Sequence, residues 1–352
     1  MKSKKLTIRL IAVLMVFGLV AAACDSSSDD DGETTTTVAG ETTTTAAGET
    51  TTTAAPDAGD LTIGFLAGVD DPFYITMQRG AERAAEALGV NLEVQIPPSW
   101  NVTEQTPILE AMVAAGNLDF LFLAPVDKEA MIAPLENAGL PYLTVDTFIG
   151  DGDYVNGPVT SPLSYIGSAN TEGGRIACVA LIEAIGGSGN IYIQNVTPGI
   201  STTDQREEGC REAIDANDSV TLVGVDYNED DPAKAAAQTE AALLANDIDG
   251  IYGTNVFSAE GAGNVVANQG LTGTVKVVAF DATSRAIELL REGTVTHVIA
   301  QKPADMGFQA VVQAFAHLNG VASVPPRIET GFVMMTIDNV DDPEVAQYIY
   351  TG

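Results

Sequence analysis

Five polar residues stand at the ends of apolar, strand-forming runs: Asp71, Asp146, Asn255, Asp281 and Gln301. Phe73 and Tyr74 follow closely on the first of them. Carboxylates accept several hydrogen bonds, amides donate and accept, and aromatic faces cover apolar ring carbons. The set therefore suits a neutral polyhydroxyl molecule. A single Asp or Asn at a strand end is ordinarily a helix cap; five residues recurring at one place argue for a site. Catalysis finds less support. Asp71 and Asp146 would be the carboxylate pair of a sugar hydrolase or isomerase, but nothing beside them looks activated. Gly186-Gly187-Ser188-Gly189 precedes a strand instead of following one, and Gly261-Ala262-Gly263 lacks the third glycine of a dinucleotide loop. No phosphate loop with lysine and no Gly-x-Ser-x-Gly is present, and His297 and His317 stand without companions. The residues point to a binding protein that is not an enzyme and uses neither cofactor nor metal.

The elements that must position these residues alternate strictly. An apolar run over 61–67 is stopped by Asp70-Asp71-Pro72, and proline suits a first helical turn. Met77, Ala81, Ala84 and Leu88 then recur at helical spacing. Further strands are expected over 91–96, 119–124, 140–145, 164–168, 190–195, 219–226, 248–254, 274–280, 295–301 and 328–337. Helices are expected over 106–115, 128–138, 171–185, 204–216, 232–245, 258–269, 283–291 and 304–318. Such alternation means parallel sheets covered by helices on both faces. So many strands predict an α/β chain of two doubly wound parallel-sheet lobes. They would join near the Gly-, Asp- and Pro-rich segment 147–162, with a ligand cleft between them.

The chain has 352 residues, 45% of them hydrophobic, and a formal net charge of −32. That is enough for two lobes, and the charge argues against nucleic acid or an anionic surface as partner. Only the start is basic: Lys2, Lys4, Lys5 and Arg9 precede an apolar run over 10–23 that ends in Ala21-Ala22-Ala23-Cys24. This is the layout of a secretory signal, and small residues before a cysteine resemble a bacterial lipoprotein cleavage site. It predicts a signal over 1–24 and a lipid anchor on Cys24, holding the protein outside the cytoplasm at the cell envelope. Residues 25–60 are a low-complexity tether, with Gly-Glu-Thr-Thr-Thr-Thr beginning at Gly32, Gly40 and Gly48. Cys178 and Cys210 form an even pair in an export context, which permits a disulfide; buried free thiols are the alternative.

The segments Asp70-Asp71-Pro72-Phe73-Tyr74, Leu143-Thr144-Val145-Asp146, Ile166-Gly167-Ser168, Gln205-Arg206-Glu207-Glu208-Gly209, Thr254-Asn255, Ala279-Phe280-Asp281 and Ile299-Ala300-Gln301 come in a recognisable order. From 61 to about 337 the chain resembles the ribose-binding branch of the periplasmic sugar-binding proteins, the solute receptors of ABC importers. The resemblance implies sugar contacts by Asp71, Phe73, Tyr74, Asp146, Asn255, Asp281 and Gln301, and delivery of the sugar to an ABC permease in the membrane. It implies three crossings between lobes, near Ser168, Gln301 and Thr330. Lobe one would be 61–167 with 302–329, and lobe two 168–301 with 330–352. It also places Cys178 and Cys210 on the first two helices of lobe two, where a disulfide between them is expected. Trp100 is a candidate for the cleft rim. The departures are Asp71 where asparagine is usual, Val256 where an aspartate often follows Asn255, and Thr147 and Asp204 at arginine positions. Arg206 lies two residues beyond Asp204, and both are candidate ligand contacts; the alternative for Asp204 is to cap its helix with Glu207. On this reading ribose fits less well than a differently shaped polyol. A sensor reporting to a membrane kinase or chemoreceptor by the same closure is the alternative reading.

Overall fold

The computed structural model describes residues 58–351. The signal, Cys24 and nearly all of the tether lie outside the described residues. The first lobe's chain runs β1 (Thr62–Leu66), α1 (Pro72–Leu88), β2 (Asn91–Gln95), α2 (Val102–Ala115), β3 (Phe120–Leu123), α3 (Ile132–Asn137), β4 (Tyr142–Val145) and β5 (Tyr165–Gly167). It continues through α4 (Asn170–Ala184), β6 (Gly189–Asn195), α5 (Ser201–Asp215), β7 (Val220–Tyr227), α6 (Pro232–Ala245) and β8 (Gly250–Gly253). Then come α7 (Val256–Asn268), β9 (Lys276–Phe280), α8 (Ser284–Arg291), β10 (Val295–Ala300), α9 (Pro303–Leu318), β11 (Arg327–Glu329), β12 (Val333–Met335) and α10 (Pro343–Ala346).

Two six-stranded sheets result, ordered β11-β5-β4-β3-β1-β2 and β12-β10-β9-β8-β6-β7. Every pairing is parallel except β10 with β12. The central strands β3, Phe-Leu-Phe-Leu, and β8 are buried at every residue, as strands with helices on both faces must be. The chain passes from one sheet to the other after β5, after β10 and between β11 and β12. These crossings are tied together, since Thr330 N donates to Gly167 O at 3.0 Å and Ser168 Oγ to Gln301 Oε1 at 2.8 Å. The carboxyl ends of both sheets meet around one crevice, where a doubly wound sheet places its ligands.

Several expected elements shift for local reasons. The extended piece over 328–337 is two short strands, one in each sheet, because the third crossing interrupts it. α2 starts at Val102, four residues early, since Asn101 caps it by accepting from Thr103 N at 2.8 Å. The helix expected over 128–138 shrinks to α3, because Asp127 Oδ1 draws Glu129 N and Ala130 N into a separate turn at 2.8 Å each. Segment 147–162 is irregular as expected, yet Phe148, Ile149, Tyr154 and Val159 are buried in it. A Cys178–Cys210 disulfide joins α4 to α5, with Cα atoms 5.1 Å apart. The same two helices meet backbone to backbone: a Cβ on Gly174 would overlap Arg206 O, and one on Gly209 would overlap Thr171 O. That close approach sets the depth at which α5 presents Arg206 to the crevice.

Candidate functional site

On the first lobe the β1–α1 loop brings Asp71 to the crevice. Asp71 Oδ1 caps α1 by accepting from Tyr74 N at 2.9 Å, and Pro72 opens the helix behind it. Capping and cavity lining are thus combined in one carboxylate. The first helical turn presents Phe73 and Tyr74. Tyr74 Oη donates to Asp146 Oδ2 at 2.7 Å, and its ring lies nearly parallel to the Trp100 indole, with centroids 6.1 Å apart. Asp146 ends β4 in the left-handed backbone region, φ 59°.

On the second lobe Asn255 caps α7 through Ser258 N at 3.1 Å and donates from Nδ2 to Asp230 Oδ1 at 2.7 Å. Asp281 ends β9, also left-handed at φ 77°. Its Oδ1 accepts from Gln301 Nε2 at 2.8 Å and from Tyr350 Oη at 2.9 Å. Arg206 Nη1 stands 3.8 Å from Asp281 Oδ2. The guanidinium is held by Asn170 Oδ1 and Thr254 O, at 2.9 and 3.0 Å, and lies 4.0 Å over the Phe280 ring.

One cavity is lined by Asp71, Phe73, Tyr74, Asp146, Asn255, Asp281 and Gln301 together with Trp100 and Arg206. About 400 Å³ of space not filled by protein atoms lies within it, counting solvent at the open rim. The lobes are shut over it. Lys128 Nζ of the first reaches Asp204 Oδ2 of the second at 3.2 Å, and Phe148 N donates to Ser201 Oγ at 3.0 Å.

Two expectations need correcting. Asp204 does not line the cavity; it sits at the rim with Lys128 and lies within α5, which begins three residues earlier at Ser201. It does not cap that helix with Glu207, whose carboxylate instead accepts from Asn195 Nδ2 at 2.7 Å. Thr147 is buried with its hydroxyl on Pro125 O, whereas the candidate Arg206 supplies a guanidinium to the cavity, so one of the two arginine donors missing from positions 147 and 204 is made good.

Sequence reasoning missed Asp230, which lines the cavity beside Asn255, and Tyr350, which props Asp281 and meets Phe73 edge-on at 5.7 Å. A signal for the first exists: Asp230-Asp231-Pro232 repeats the Asp-Asp-Pro of the opening loop at another strand-to-helix turn. For Tyr350 there is none, because it arrives from the far end of the chain.

Four carboxylates, Asp71, Asp146, Asp230 and Asp281, thus share a cavity with one guanidinium. Burial pushes Asp71 well above the usual carboxylate range, and the charges of Asp230, Asp281 and Asp146 add to it. Burial raises Asp146 to about 6, against the opposing pull of Arg206 and the Tyr74 hydroxyl. Asp230 also rises to about 6 through burial, offset by its bond from Asn255. Asp281 is raised by burial and held back by Arg206. Burial and the neighbouring carboxylates keep the Tyr74 and Tyr350 phenols protonated, as donors. Two buried polar atoms of lining residues, Trp100 Nε1 and Thr203 Oγ1, have no partner among the described residues. The site is rich in acceptors, and among the described residues no cluster of His, Cys, Asp or Glu is placed to hold a metal ion. Such a lining can pair with a molecule that brings hydroxyl donors.

The sequence profile of the family described as "Periplasmic binding protein domain" matches residues 63–322. The crystal structure of an ABC transporter solute binding protein from Agrobacterium vitis, bound with α-D-tagatopyranose, is 43% identical. It superposes with a TM-score of 0.81, covering 83% of this chain and 100% of that one. The ribose import binding protein of Haemophilus influenzae is 28% identical over 258 residues, 72% of this chain and 83% of its own length. The D-allose-binding periplasmic protein of Escherichia coli is 27% identical over 247 residues, 69% of this chain and 79% of its own length.

Proposed function

The chain belongs to the periplasmic binding protein family, and from that premise we propose that it is the extracytoplasmic receptor of an ABC importer, capturing a small neutral sugar or polyol. The observation that carries this is the shared cavity, whose walls from both lobes are lined with hydrogen-bonding side chains, carboxylates foremost. Asp71, Tyr74 and Asp146 on one side and Asn255, Arg206 and Asp281 on the other reach the same small space. A sugar there touches both lobes at once, so it favours the shut arrangement over an open one by the contacts it makes only when both walls are present. Phe73, Tyr74 and Trp100 cover its apolar carbon face, while the carboxylates and amides take its hydroxyls.

The charge balance sets what is admitted. The carboxylates outnumber the one guanidinium and so repel a phosphorylated or acidic sugar, and the enclosed site enlarges that penalty. The relatives that carry sugar names or bound sugars, tagatose, ribose and allose among them, support a monosaccharide-sized ligand. In this reading Cys24 carries a lipid that holds the receptor at the envelope, residues 25–60 act as tether, and the loaded receptor delivers to a membrane permease.

A thermal-shift screen of D-tagatose, D-allose, D-ribose and D-arabinose, with a sugar phosphate as contrast, tests the reading. A ligand at a hundred times its dissociation constant adds about 2.7 kcal/mol of stability. Stabilisation by a neutral sugar and not by the phosphate is expected; the reverse order would sink it. Mass spectrometry of the native amino terminus tests the anchor, and an intact Met1 would remove it.

A further inference from the structure

We propose that Asp230 contacts the ligand and determines specificity: facing Asp71 across the cavity, it selects sugars that present hydroxyl donors to both carboxylates. The proposal rests on the sugar-capture reading above and assigns one end of that ligand.

Its backbone sets Asp230 apart. Among the described residues, four that are not glycine have positive φ, and they are Asp146, Glu229, Asp230 and Asp281. Three of them place a carboxylate on the cavity wall. Aspartate tolerates this conformation better than most residues, but it still costs energy, and such outliers gather where function holds them. Asp230 at φ 62° therefore shares its conformation with two of the residues picked out as sugar contacts.

The ordinary task of an aspartate at this turn is already done by its neighbour. Asp231 caps α6, accepting from Ala233 N at 2.7 Å and Lys234 N at 3.1 Å. At the opening loop Asp71 must both cap and line; here the tasks are divided, and Asp230 is left to line. Asn255 Nδ2 fixes Asp230 Oδ1 at 2.7 Å, while no side chain is bonded to Oδ2 among the described residues. The nearby lysine does not neutralise it, since Lys234 Nζ pairs with Glu229 at 3.0 Å. Arg206 is committed to Asn170, Thr254 and the Asp281 side of the cavity.

A second sign of a missing partner lies in the same wall. Thr203 is 3% exposed and lines the cavity, yet its hydroxyl has no hydrogen-bond partner among the described residues. An unpaired buried hydroxyl and a free carboxylate oxygen lining the same cavity are a donor and an acceptor that ligand hydroxyls would complete. A ligand lacking that hydroxyl leaves a buried charge unpaired, and a site built for a hydroxyl rejects such an analogue far more sharply than an apolar pocket would.

The test is titration calorimetry on the wild-type chain and Asp230→Asn, using D-tagatose, D-allose and D-ribose and the monodeoxy derivatives of whichever binds best. Asparagine keeps the left-handed backbone and can still accept from Asn255, and because burial raises Asp230 to about 6 the ligand-free variant should melt no lower than the wild type at pH 7.5. The best sugar should weaken at least tenfold on Asp230→Asn. One monodeoxy derivative, already weak on the wild type, should lose less than threefold more, which identifies the hydroxyl that Asp230 meets. Affinity within twofold of wild type for every sugar, or an equal loss for every derivative, would overturn the assignment while leaving sugar capture standing. No binding of any sugar to the wild-type chain would remove both.

Discussion

Ser168 donates its hydroxyl to Gln301 Oε1 at 2.8 Å, joining two of the places where the chain crosses between the sheets. The other end of the same amide donates to Asp281 Oδ1 at 2.8 Å. Gln301 therefore belongs both to the hinge and to the ligand wall, and its side chain connects a crossing on one face to a cavity carboxylate on the other. Any change in the crossing geometry is felt at Asp281, and any ligand that draws on Asp281 is felt at the crossing.

Gln301→Ala should show this directly. It strips Asp281 of one donor while Tyr350 Oη remains at 2.9 Å, and hydrogen bonds to charged groups contribute about 1.5–3 kcal/mol. The expected loss is about tenfold to 150-fold in sugar affinity, measured by calorimetry. Ser168→Ala leaves the Asp281 bond in place and should cost much less. Equal losses in the two variants would mean that Gln301 acts only as a structural tie.

Arg206 is the one cation against four carboxylates in the cavity, and it is 2% exposed. Removing one partner of a buried ion pair leaves an uncompensated charge and costs about 3–5 kcal/mol. Arg206→Ala should abolish sugar binding and lower the melting temperature at pH 7.5. Arg206→Lys should not restore binding, because an ammonium cannot reproduce the forked contact to Asn170 Oδ1 and Thr254 O while lying flat over Phe280. Near-normal affinity in the lysine variant would show that charge alone suffices.

The disulfide between Cys178 and Cys210 closes a loop with a sequence separation of 32. Constraint of the unfolded chain by a loop of that size is worth about 3–4 kcal/mol. Both residues are fully buried where α4 and α5 cross, so the double alanine variant also loses packing. Urea unfolding should place it at least that far below the oxidised wild type. Two titratable thiols in the denatured, unreduced protein would contradict the bond itself.

The alternation of strands and helices was legible because each apolar run is short, rich in strand formers and followed by a cap. The Asp71, Asp146, Asn255, Asp281 and Gln301 positions were legible because each ends such a run. Asp204 was misjudged because α5 starts at Ser201 without a side-chain cap; no local signal set the helical phase, and the phase turns Arg206 to the cavity and leaves Asp204 at the rim. The division of the last extended piece between two sheets was equally hidden, since pairing partners lie far away in the chain. Tyr350 shows the same limit. Its bond to Asp281 spans 69 residues, and no local pattern announces it.

The last expectation concerns Asp146, which ionises at about 6 in the fold, chiefly because it is buried, against an ordinary aspartate value of about 3.9. A folded state that holds this proton more tightly than the unfolded chain draws stability from it. That stability is fully present below about pH 3.9 and is lost as the pH rises through about 6. Asparagine at this position cannot ionise, tolerates the left-handed backbone and can still accept from Tyr74 Oη. Ligand-free Asp146→Asn should therefore melt above the wild type at pH 7.5, by the equivalent of about 2–3 kcal/mol at about 1.4 kcal/mol per pH unit. The difference should close on acidification to pH 4. Acidic groups outside the cavity titrate equally in both proteins, while Asp71, which the Asp146 charge raises, is held less high in the variant. In the same variant sugar affinity should fall, because a charged acceptor has been replaced by a weaker neutral one. A substitution that stabilises the empty protein while weakening its ligand is the expected mark of a residue kept for binding at a cost in stability. A pH-independent difference in melting temperature, or a gain in affinity, would show that Asp146 is not an ionised ligand acceptor.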